Sequence, residues 1–338
     1  MKVLIVDDDR LTLTVLRNML ASRGHEVTTA SNGQDAIEIL RHGGHRLVLS
    51  DWEMPDMDGL DLCRAIRAEK HIGYTYVILL TSHREADEKV KGLLAGADDF
   101  IAKPFNPAEL LARVQIGERL LSLETRDAAL FALAKLAESR DPETGSHLER
   151  VQSYCREIAE RIADTGRCGG HVTPEYVHLI YLTSPLHDVG KVGIPDHVLL
   201  KPGRLNPSEF EVMKTHTTIG ARTLSAALEQ FPGIEYLQMA WAIAATHHEK
   251  FDGTGYPNGL KGDSIPLCGR IVAVADVYDA LTSRRVYKPS YDHDVARTMI
   301  VADSGVSFDP DVVEAFLEIQ GKFSSIRKEF ENELAMAA

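Results

Sequence analysis

The first 106 residues alternate short apolar runs with segments of helical spacing, and this alternation restricts the fold more than any other feature of the chain. The apolar runs that we expect to form strands lie at 3–6, 47–49, 77–80 and 100–102. Segments with apolar residues at helical spacing, such as 10–22 and 33–42, lie between them. Strands that alternate with helices in this way predict a doubly wound α/β domain, with a parallel sheet covered by helices on both faces.

The pattern becomes entirely helical at residue 107, and few strand signals follow it. Residues 107–140 contain no proline after Pro107 and one glycine, so they predict a long connecting helix. Apolar residues on this helix form a partial stripe that includes Ile116, Leu120, Leu123 and Leu130. The stripe leaves two alternatives open, which are pairing with a second copy of the chain and packing on its own domain. Residues 141–338 predict a separate all-α domain.

Charge and cysteine content restrict the class of protein. The chain has 338 residues and a formal net charge of −13, which argues against DNA and membrane surfaces as general partners because both are anionic. The four cysteines are scattered without paired or zinc-type spacing, as is typical of a reducing compartment. The sequence contains no signal-peptide pattern and no apolar run that approaches the length of a membrane span. We therefore expect a cytoplasmic protein.

Three aspartates of the first domain follow predicted strands. Asp7 and Asp8 come directly after the first strand, and Asp51 comes after the second apolar run. In an open parallel sheet the carboxyl ends of the strands share one edge, where ligands collect. Converging carboxylates repel one another unless a cation binds between them, and oxygen ligands favour Mg²⁺. Thr81 and Lys103 follow the two later apolar runs, so a hydroxyl and an ammonium group are expected at the same edge.

The motifs VDDD, SDWEMPDMDG, LLTS and FIAKPF occur in this order, and they resemble the receiver domain of response regulators. The resemblance implies a five-stranded sheet over residues 1–120, a sensor histidine kinase as partner, and Asp51 as the phospho-acceptor. It implies that Asp7 and Asp8 bind Mg²⁺ together with Asp51. It also implies that three further residues bind the phosphoryl group or change position in response to it, namely Thr81, Lys103 and Phe100. For Phe100 alone, an ordinary core position remains the simpler alternative.

The stretch SPLHDVGK places three costly polar groups among small and apolar residues of the second domain. They are His187, Asp188 and Lys191. A buried ion pair and a metal site are the two alternatives that this stretch leaves open. Other residues of ligand type lie in separate segments along the domain, namely Glu143, His147, His216, His247, His248 and Asp276.

Each of these residues taken singly has an ordinary explanation, because an isolated histidine is more often a surface residue or a hydrogen-bonded core residue. Together they favour a metal cluster, which would satisfy several buried polar side chains at once. Imidazole and carboxylate ligands without thiolate suit iron, manganese or another first-row metal. A carboxylate such as Asp188 can bridge two cations, and such a pair acidifies water and binds a phosphate group.

The motifs LHDVGKVGIPD, LKPGRL, MKTH, HHEKFDGTGYPNGL and RIVAVADVYDALTS resemble the HD-GYP family of HD phosphohydrolases. The resemblance implies hydrolysis of cyclic di-GMP to pGpG and on to GMP, at a centre of two or three divalent ions. The implied metal ligands are His187, Asp188, His216, His247, His248 and Asp276, with Glu143 and His147 for a third ion. Lys191 would hold the scissile phosphate, and further substrate contacts are implied for Asp141, Arg285 and Lys288.

Two features of the second domain leave alternatives open. Tyr256, in the GYP segment, either presents its ring to a guanine or belongs to a rigid structural turn. Val286 stands where the family usually has proline, which would loosen the phosphate contact and slow turnover. The first hypothesis is therefore a two-component phosphodiesterase controlled by phosphorylation of Asp51. The alternatives are a cyclic di-GMP sensor or protein-interaction module with little turnover, and an HD hydrolase for another phosphodiester.

Overall fold

The computed structural model describes the backbone of residues 1–69, 74–82, 86–140, 146–283 and 290–337, and the side chains of these residues except 86–89, 124–126 and 333–337. The chain divides into two units, Met1–Ala128 and Ala129–Ala338. Each unit has its own hydrophobic core, and each is described by itself.

The first unit contains a five-stranded parallel sheet. Its strands are β1 (Lys2–Val6), β2 (Glu26–Ala30), β3 (Leu47–Asp51), β4 (Tyr76–Thr81) and β5 (Asp99–Ala102). Their order in the sheet is β2-β1-β3-β4-β5. The predicted doubly wound sheet is confirmed, and the four apolar runs form β1, β3, β4 and β5. The edge strand β2 has the sequence EVTTA, so no continuous apolar run marked it.

Helices cover both faces of this sheet. They are α1 (Arg10–Ala21), α2 (Gly33–Gly43), α3 (Gly59–Ala68), α4 (Ala86–Ala95) and the first part of α5 (Pro107–Glu138). Side chains of Asp9, Asn32 and Asp58 accept backbone N–H groups at the starts of α1, α2 and α3. One apolar cluster lies on each face of the sheet, as burial on both sides of parallel strands requires.

The helix α5 is a single helix of 32 residues that begins at Pro107 and ends at Glu138. Asn106 accepts a hydrogen bond from the backbone N–H of Ala108 and so caps its first turn. The boundary between the two units falls within α5, after Ala128. The long connecting helix that the sequence predicts over 107–140 is therefore present.

The second unit is helical in the ranges that the structure describes, apart from one isolated bridge between Ser304 and Phe308. Its helices are α6 (His147–Thr165), α7 (Pro174–Thr183), α8 (Asp196–Leu199), α9 (Pro207–Gln230), α10 (Glu235–Thr246), α11 (Leu267–Thr282), α12 (His293–Ala302) and α13 (Pro310–Ala337). Short 3₁₀ turns lie at Ser184–Leu186 and Val189–Gly193.

The main core of the second unit lies between α6, α11 and α13. Tyr154 of α6 stacks on Phe323 of α13 at 4.4 Å between ring centroids, and Tyr278 of α11 contacts both rings edge-on. These rings are fully buried and fix the spacing of α6 and α11. The metal-ligand candidates on those two helices are positioned by this packing. None of the helices, over the residues described, is long and apolar enough to cross a membrane.

Candidate metal centre and receiver edge

Five segments of the second unit bring the predicted ligands to one place. His147 is the first residue of α6, and Asp276 lies in the middle of α11. His187 and Asp188 lie between the two 3₁₀ turns. His216 lies inside α9, while His247 and His248 directly follow α10. These residues are far apart in sequence, so tertiary packing alone assembles them.

Asp188 and three histidines form the first of two ligand clusters. Ligand atoms of Asp188, His216, His247 and His248 all lie within 4.8 Å of one another. The Oδ1 atom of Asp188 is 3.2 Å from Nε2 of His216 and 3.7 Å from Nε2 of His247. Asp188 keeps 21% of its side chain exposed, whereas the His216 and His247 side chains are almost fully buried. The cluster is therefore buried on the histidine side and reachable from the aspartate side.

The second cluster consists of His147, His187 and Asp276. The Oδ1 atom of Asp276 is 3.7 Å from Nε2 of His147 and 4.0 Å from Nε2 of His187. The other oxygen of Asp188, Oδ2, is 3.4 Å from Nε2 of His187. Asp188 thus has one oxygen directed at each cluster, which is the placement that a bridging carboxylate needs.

The hydrogen bonds of three histidines fix which ring nitrogen faces the clusters. Nδ1–H of His187 donates to the backbone oxygen of Ser184 at 2.8 Å. Nδ1–H of His216 donates to that of Met213 at 2.8 Å, and Nδ1–H of His247 donates to that of Ile243 at 3.0 Å. Because a carbonyl oxygen can only accept, each Nδ1 must be the protonated nitrogen. In the neutral imidazole, Nε2 then has a lone pair that points toward the clusters. Metal-binding histidines are held in this way in proteins generally.

Three buried atoms of the clusters have no hydrogen-bond partner among the residues that the structure describes. They are Nε2 of His147, Nε2 of His187 and Oδ1 of Asp188. Buried polar atoms are normally hydrogen-bonded, because burying one without a partner costs about 1–3 kcal/mol. All three atoms can donate an electron pair; the two imidazole nitrogens belong to the second cluster, and Oδ1 of Asp188 faces the first. The donor set of imidazoles and carboxylates therefore fits divalent first-row metal ions.

The charges within the clusters oppose one another. Burial lowers the pKa of His187, but Asp188 and Asp276 outweigh burial and raise that pKa to about 9. Burial raises the pKa of Asp188, but Lys191 and His187 hold it well below its usual range. Burial and the neighbouring His247 lower the pKa of His216 to about 4. Asp188 therefore stays ionised and His216 stays neutral, which are the forms that bind metal, whereas His187 must lose a proton when a metal binds.

Lys191 and the end of α5 border the clusters on the open side. The Nζ atom of Lys191 is 2.8 Å from Oδ2 of Asp188, in a cavity that His147 also lines. Ala134, Ala137 and Glu138 of α5 form the opposite part of its wall. An ammonium group beside the bridging carboxylate suits the charge of a phosphodiester.

The sheet edge of the first unit contains the predicted acidic site. Ligand oxygens of Asp7, Asp8 and Asp51 lie within 4.8 Å of one another. Lys103 reaches them, with Nζ 3.0 Å from Oδ2 of Asp7 and 2.9 Å from Oδ2 of Asp51. Burial raises the pKa of Asp7, although its hydrogen bonds from Asp9 and Lys103 lower it. Thr81, at the end of β4, is buried.

Phe100 lies on β5 and is partly buried. Its ring centroid is 6.4 Å from that of Trp52. A Cβ at Gly92 of α4 would overlap the Phe100 ring, so the ring packs directly against that helix. Its place is consistent with either of the two alternatives left open by the sequence.

Four of the predicted site residues lie outside the residues that the structure describes. They are Asp141, Glu143, Arg285 and Lys288, and the same holds for Val286. Their roles stay predictions.

Comparison with known proteins matches both units to families. The family model of the response regulator receiver domain matches residues 3–115, and that of the HD domain matches residues 132–312. The chain belongs to the response regulators that join a receiver domain to an HD domain. We refer below to the receiver unit and the HD unit.

Three curated relatives align with nearly the whole chain. The chain is 40% identical to a probable cyclic di-GMP phosphodiesterase of Vibrio cholerae, over 98% of this chain and 80% of the relative. It is 37% identical to the cyclic di-GMP phosphodiesterase response regulator RpfG of Xanthomonas campestris, over 98% of this chain and 90% of the relative. It is 38% identical to a cyclic di-GMP phosphodiesterase of Thermotoga maritima, over 98% of this chain and 94% of the relative.

Sequence reasoning missed two residues that orient His147 in the HD unit. Nδ1 of His147 is 2.8 Å from Oδ2 of Asp279, and Arg150 forms two hydrogen bonds to the same carboxylate, at 2.6 and 2.8 Å. Burial raises the pKa of Asp279, but Arg150 and His147 outweigh it and lower the pKa to about 2. The available signal was the spacing of Asp276 and Asp279, which places two carboxylates on one face of an apolar helix.

Two further residues shape the centre through the backbone. A Cβ at Gly190 would overlap the carbonyl oxygen of His216, so only glycine lets the HDVGK segment approach α9 this closely. The buried carboxylate of Glu249 accepts N–H groups of Asn258 and Leu260, at 2.7 and 3.0 Å, and so holds the loop of the GYP segment. That loop places the Tyr256 ring 4.8 Å from the His248 ring.

Proposed function

We propose that the HD unit hydrolyses cyclic di-GMP to pGpG and GMP, and that the receiver unit controls this activity through phosphorylation of Asp51. The observation that carries the proposal is the convergence of ligands from five segments on Asp188, with Lys191 beside it on the open side. The three relatives of similar length are named as cyclic di-GMP phosphodiesterases, one of them as a response regulator.

The two clusters would each hold one divalent ion, iron or manganese, with Asp188 shared between them. The proposed ligands are His147, His187, His216, His247, His248, Asp188 and Asp276. Glu143 is proposed as a ligand of a third ion. When bound, such ions would acidify a water molecule and offset the charge of a phosphodiester.

The remaining groups of the site have positioning and charge roles. The Lys191 ammonium offsets negative charge that develops on the scissile phosphate. The Nδ1 hydrogen bonds of the histidines keep Nε2 directed at the centre before substrate arrives, so no reorganisation is needed during the reaction. Asp141, Arg285 and Lys288 are proposed as substrate contacts, on the strength of the HD-GYP motifs alone. Tyr256 is proposed as a substrate contact because its ring lies beside His248.

In the receiver unit we propose that Asp51 accepts a phosphoryl group from a sensor histidine kinase. Asp7 and Asp8 would hold Mg²⁺ together with Asp51, because their oxygens converge. Lys103 already forms ion pairs with two of these carboxylates, so it can bind a phosphoryl oxygen at Asp51. Thr81 and Phe100 are the proposed switch residues, since Thr81 ends β4 and Phe100 lies on the neighbouring β5.

We also propose that the connecting helix mediates a homodimer. Ile116, Leu120 and Leu123 of α5 are 39%, 44% and 45% exposed, which is high for apolar side chains spaced along one helix. A Leu120→Asp variant should then lower the mass measured by light scattering from that of two chains to that of one. An unchanged mass would contradict a dimer through this stripe.

The activity is tested with the purified full-length chain loaded with Mn²⁺ or Fe²⁺ under reducing, low-oxygen conditions. Chromatography should show cyclic di-GMP converted to pGpG and GMP. An Asp188→Asn variant should lose both the bound metal and the activity. The matched control is Asp294→Asn, which makes the same change in the second His-Asp pair of the sequence, on α12 and outside both clusters.

Two results would contradict the proposal. The first is the absence of products when metal analysis confirms two ions per chain. The second is tight binding of cyclic di-GMP that leaves the nucleotide intact after long incubation, which would instead select the sensor alternative.

A further inference from the structure

An exposed aromatic ring lies on α9, one helical turn and a half before the ligand His216. Phe210 is 46% exposed, although large aromatic side chains usually bury most of their surface. Its ring meets the Tyr256 ring edge-on, with 6.3 Å between centroids. Nearly half of the surface of this large apolar side chain is therefore open to a ligand.

The exposed ring is connected to the metal centre by a row of rings. Tyr256 lies 4.8 Å from His248, and their planes are tilted by 30°. His248 lies 5.1 Å from His216, and both belong to the first ligand cluster. The Tyr256 ring therefore lies between Phe210 and His248, which is a proposed metal ligand.

A charged pair accompanies the two outer rings. The Nζ atom of Lys214 lies 5.6 Å from the centroid of Phe210 and 5.7 Å from that of Tyr256. Nζ also lies 2.7 Å from Oε1 of Glu211, whose side chain is mostly exposed. An ammonium donor and a carboxylate acceptor therefore stand side by side next to the open ring.

We infer that Phe210, Glu211 and Lys214 form a guanine-binding subsite of the HD unit. This inference rests on the proposed hydrolysis of cyclic di-GMP and names the residues that select its base. The guanine stacks on the open face of Phe210. Lys214 donates to the O6 atom of the base, and Glu211 accepts from its N1–H group.

The same pair rejects adenine. At the corresponding positions adenine has an amino group in place of O6 and an unprotonated nitrogen in place of N1–H. The ammonium would then face a donor and the carboxylate would face an acceptor. Hydrogen-bonding sites reject a mismatched ligand strongly, because their own polar groups are left unpaired.

The subsite is tested by steady-state kinetics of the metal-loaded full-length chain on three substrates, which are cyclic di-GMP, cyclic di-AMP and bis(p-nitrophenyl) phosphate. Phe210→Ala should raise KM for cyclic di-GMP about tenfold, a factor within the range that is typical for stacking of a base on an aromatic ring. Lys214→Met should lower kcat/KM for cyclic di-GMP about tenfold and raise it for cyclic di-AMP, because the ammonium no longer faces the amino group of adenine. Neither variant should alter hydrolysis of the small phosphodiester, which has no base.

Matched controls are available at other places in the HD unit. Phe231→Ala removes an equally exposed ring at the opposite end of α9, and Lys322→Met breaks a comparable pair with Glu157. Both should behave as the unaltered chain. If the unaltered chain hydrolyses cyclic di-GMP and Phe210→Ala and Lys214→Met do so with unchanged kcat/KM, the subsite is refuted while the proposed function stands. If the unaltered chain hydrolyses the small phosphodiester but not cyclic di-GMP, the proposed function fails and the inference fails with it.

Discussion

The substitution Asp279→Asn tests how the ligands of the metal centre are positioned without removing any of them, because Asp279 is not itself among the proposed ligands. Its carboxylate accepts two hydrogen bonds from Arg150 and one from Nδ1 of His147. Asparagine has nearly the same shape but no charge, and one of its two terminal atoms is a donor. The variant therefore leaves Arg150 as a buried charge and weakens the hydrogen bond that orients His147.

The expected magnitude follows from the burial of the pair. The side chains of Asp279 and Arg150 are 2% and 6% exposed, so water does not replace the lost interaction. Removing one partner of such a buried pair typically costs about 3–5 kcal/mol of unfolding free energy. Asparagine keeps one acceptor oxygen, so we expect about 3 kcal/mol. Loss of a hydrogen bond to a metal-binding histidine typically lowers metal affinity about 10- to 100-fold.

Both quantities can be measured on the full-length chain. Chelator competition gives the affinity for Mn²⁺, and urea denaturation of the metal-free chain gives the free energy of unfolding. The chain has two tryptophans, of which Trp241 lies in α10 of the HD unit. A Trp52→Phe background makes Trp241 fluorescence report on this unit alone.

The matched control breaks a similar ion pair elsewhere in the HD unit. Asp309 is buried and pairs with Arg270 at 2.6 Å, away from both ligand clusters. Asp309→Asn should lower the free energy of unfolding while leaving Mn²⁺ affinity unchanged. The reasoning is refuted if Asp279→Asn also leaves Mn²⁺ affinity unchanged, because Asp279 would then contribute stability without orienting a ligand.

Three further predictions follow from single contacts. Gly190→Ala should lower metal content measured by mass spectrometry, because its Cβ would overlap the carbonyl oxygen of His216; Gly321→Ala, with no atom near its Cβ, should not. Glu249→Gln should speed amide hydrogen exchange in residues 250–262, since its amide group repels one of two backbone N–H groups that the carboxylate accepts. Asp51→Asn should abolish phosphorylation by acetyl phosphate, seen as the loss of a phosphate-dependent gel shift. Unchanged metal content, unchanged exchange or a persistent shift would contradict the respective prediction.

The strands were predictable to the extent that they are buried on both faces. β1, β3 and β4 each contain a continuous apolar run, and this run identifies them without reference to the rest of the chain. β2 pairs with β1 alone at the edge of the sheet, and Ala30 is the one buried residue of its five, so the others are free to be polar. An edge strand with few buried residues therefore has only a weak strand signal in its own sequence.

The candidate ligands were predictable as residue types in motifs, whereas their supporting hydrogen bonds were not. Arg150 and Asp279 are 129 positions apart and meet because α6 packs on α11. Their contact depends on rotation and spacing of two helices, which the large rings of the core determine. Glu249 is a different case, since it lies beside His248 in a motif, yet its partners are backbone N–H groups that no residue type reveals.

The last turn of α5 contacts the metal centre from two directions, and this arrangement bears on how the activity is controlled. Lys135 forms an ion pair of 2.8 Å with Glu149, two residues after the ligand His147. Arg140, just past the end of the helix, donates to the carbonyl oxygens of Val192 and Ile194, directly after Lys191. His147, a proposed ligand, and Lys191, the proposed phosphate contact, are thus both close to residues held by a helix that begins in the receiver unit. Control of one unit by the other requires an element with two arrangements that differ at the site. A shift of this turn would move His147 and Lys191 together, so we expect phosphorylation to change kcat without changing which base the enzyme selects.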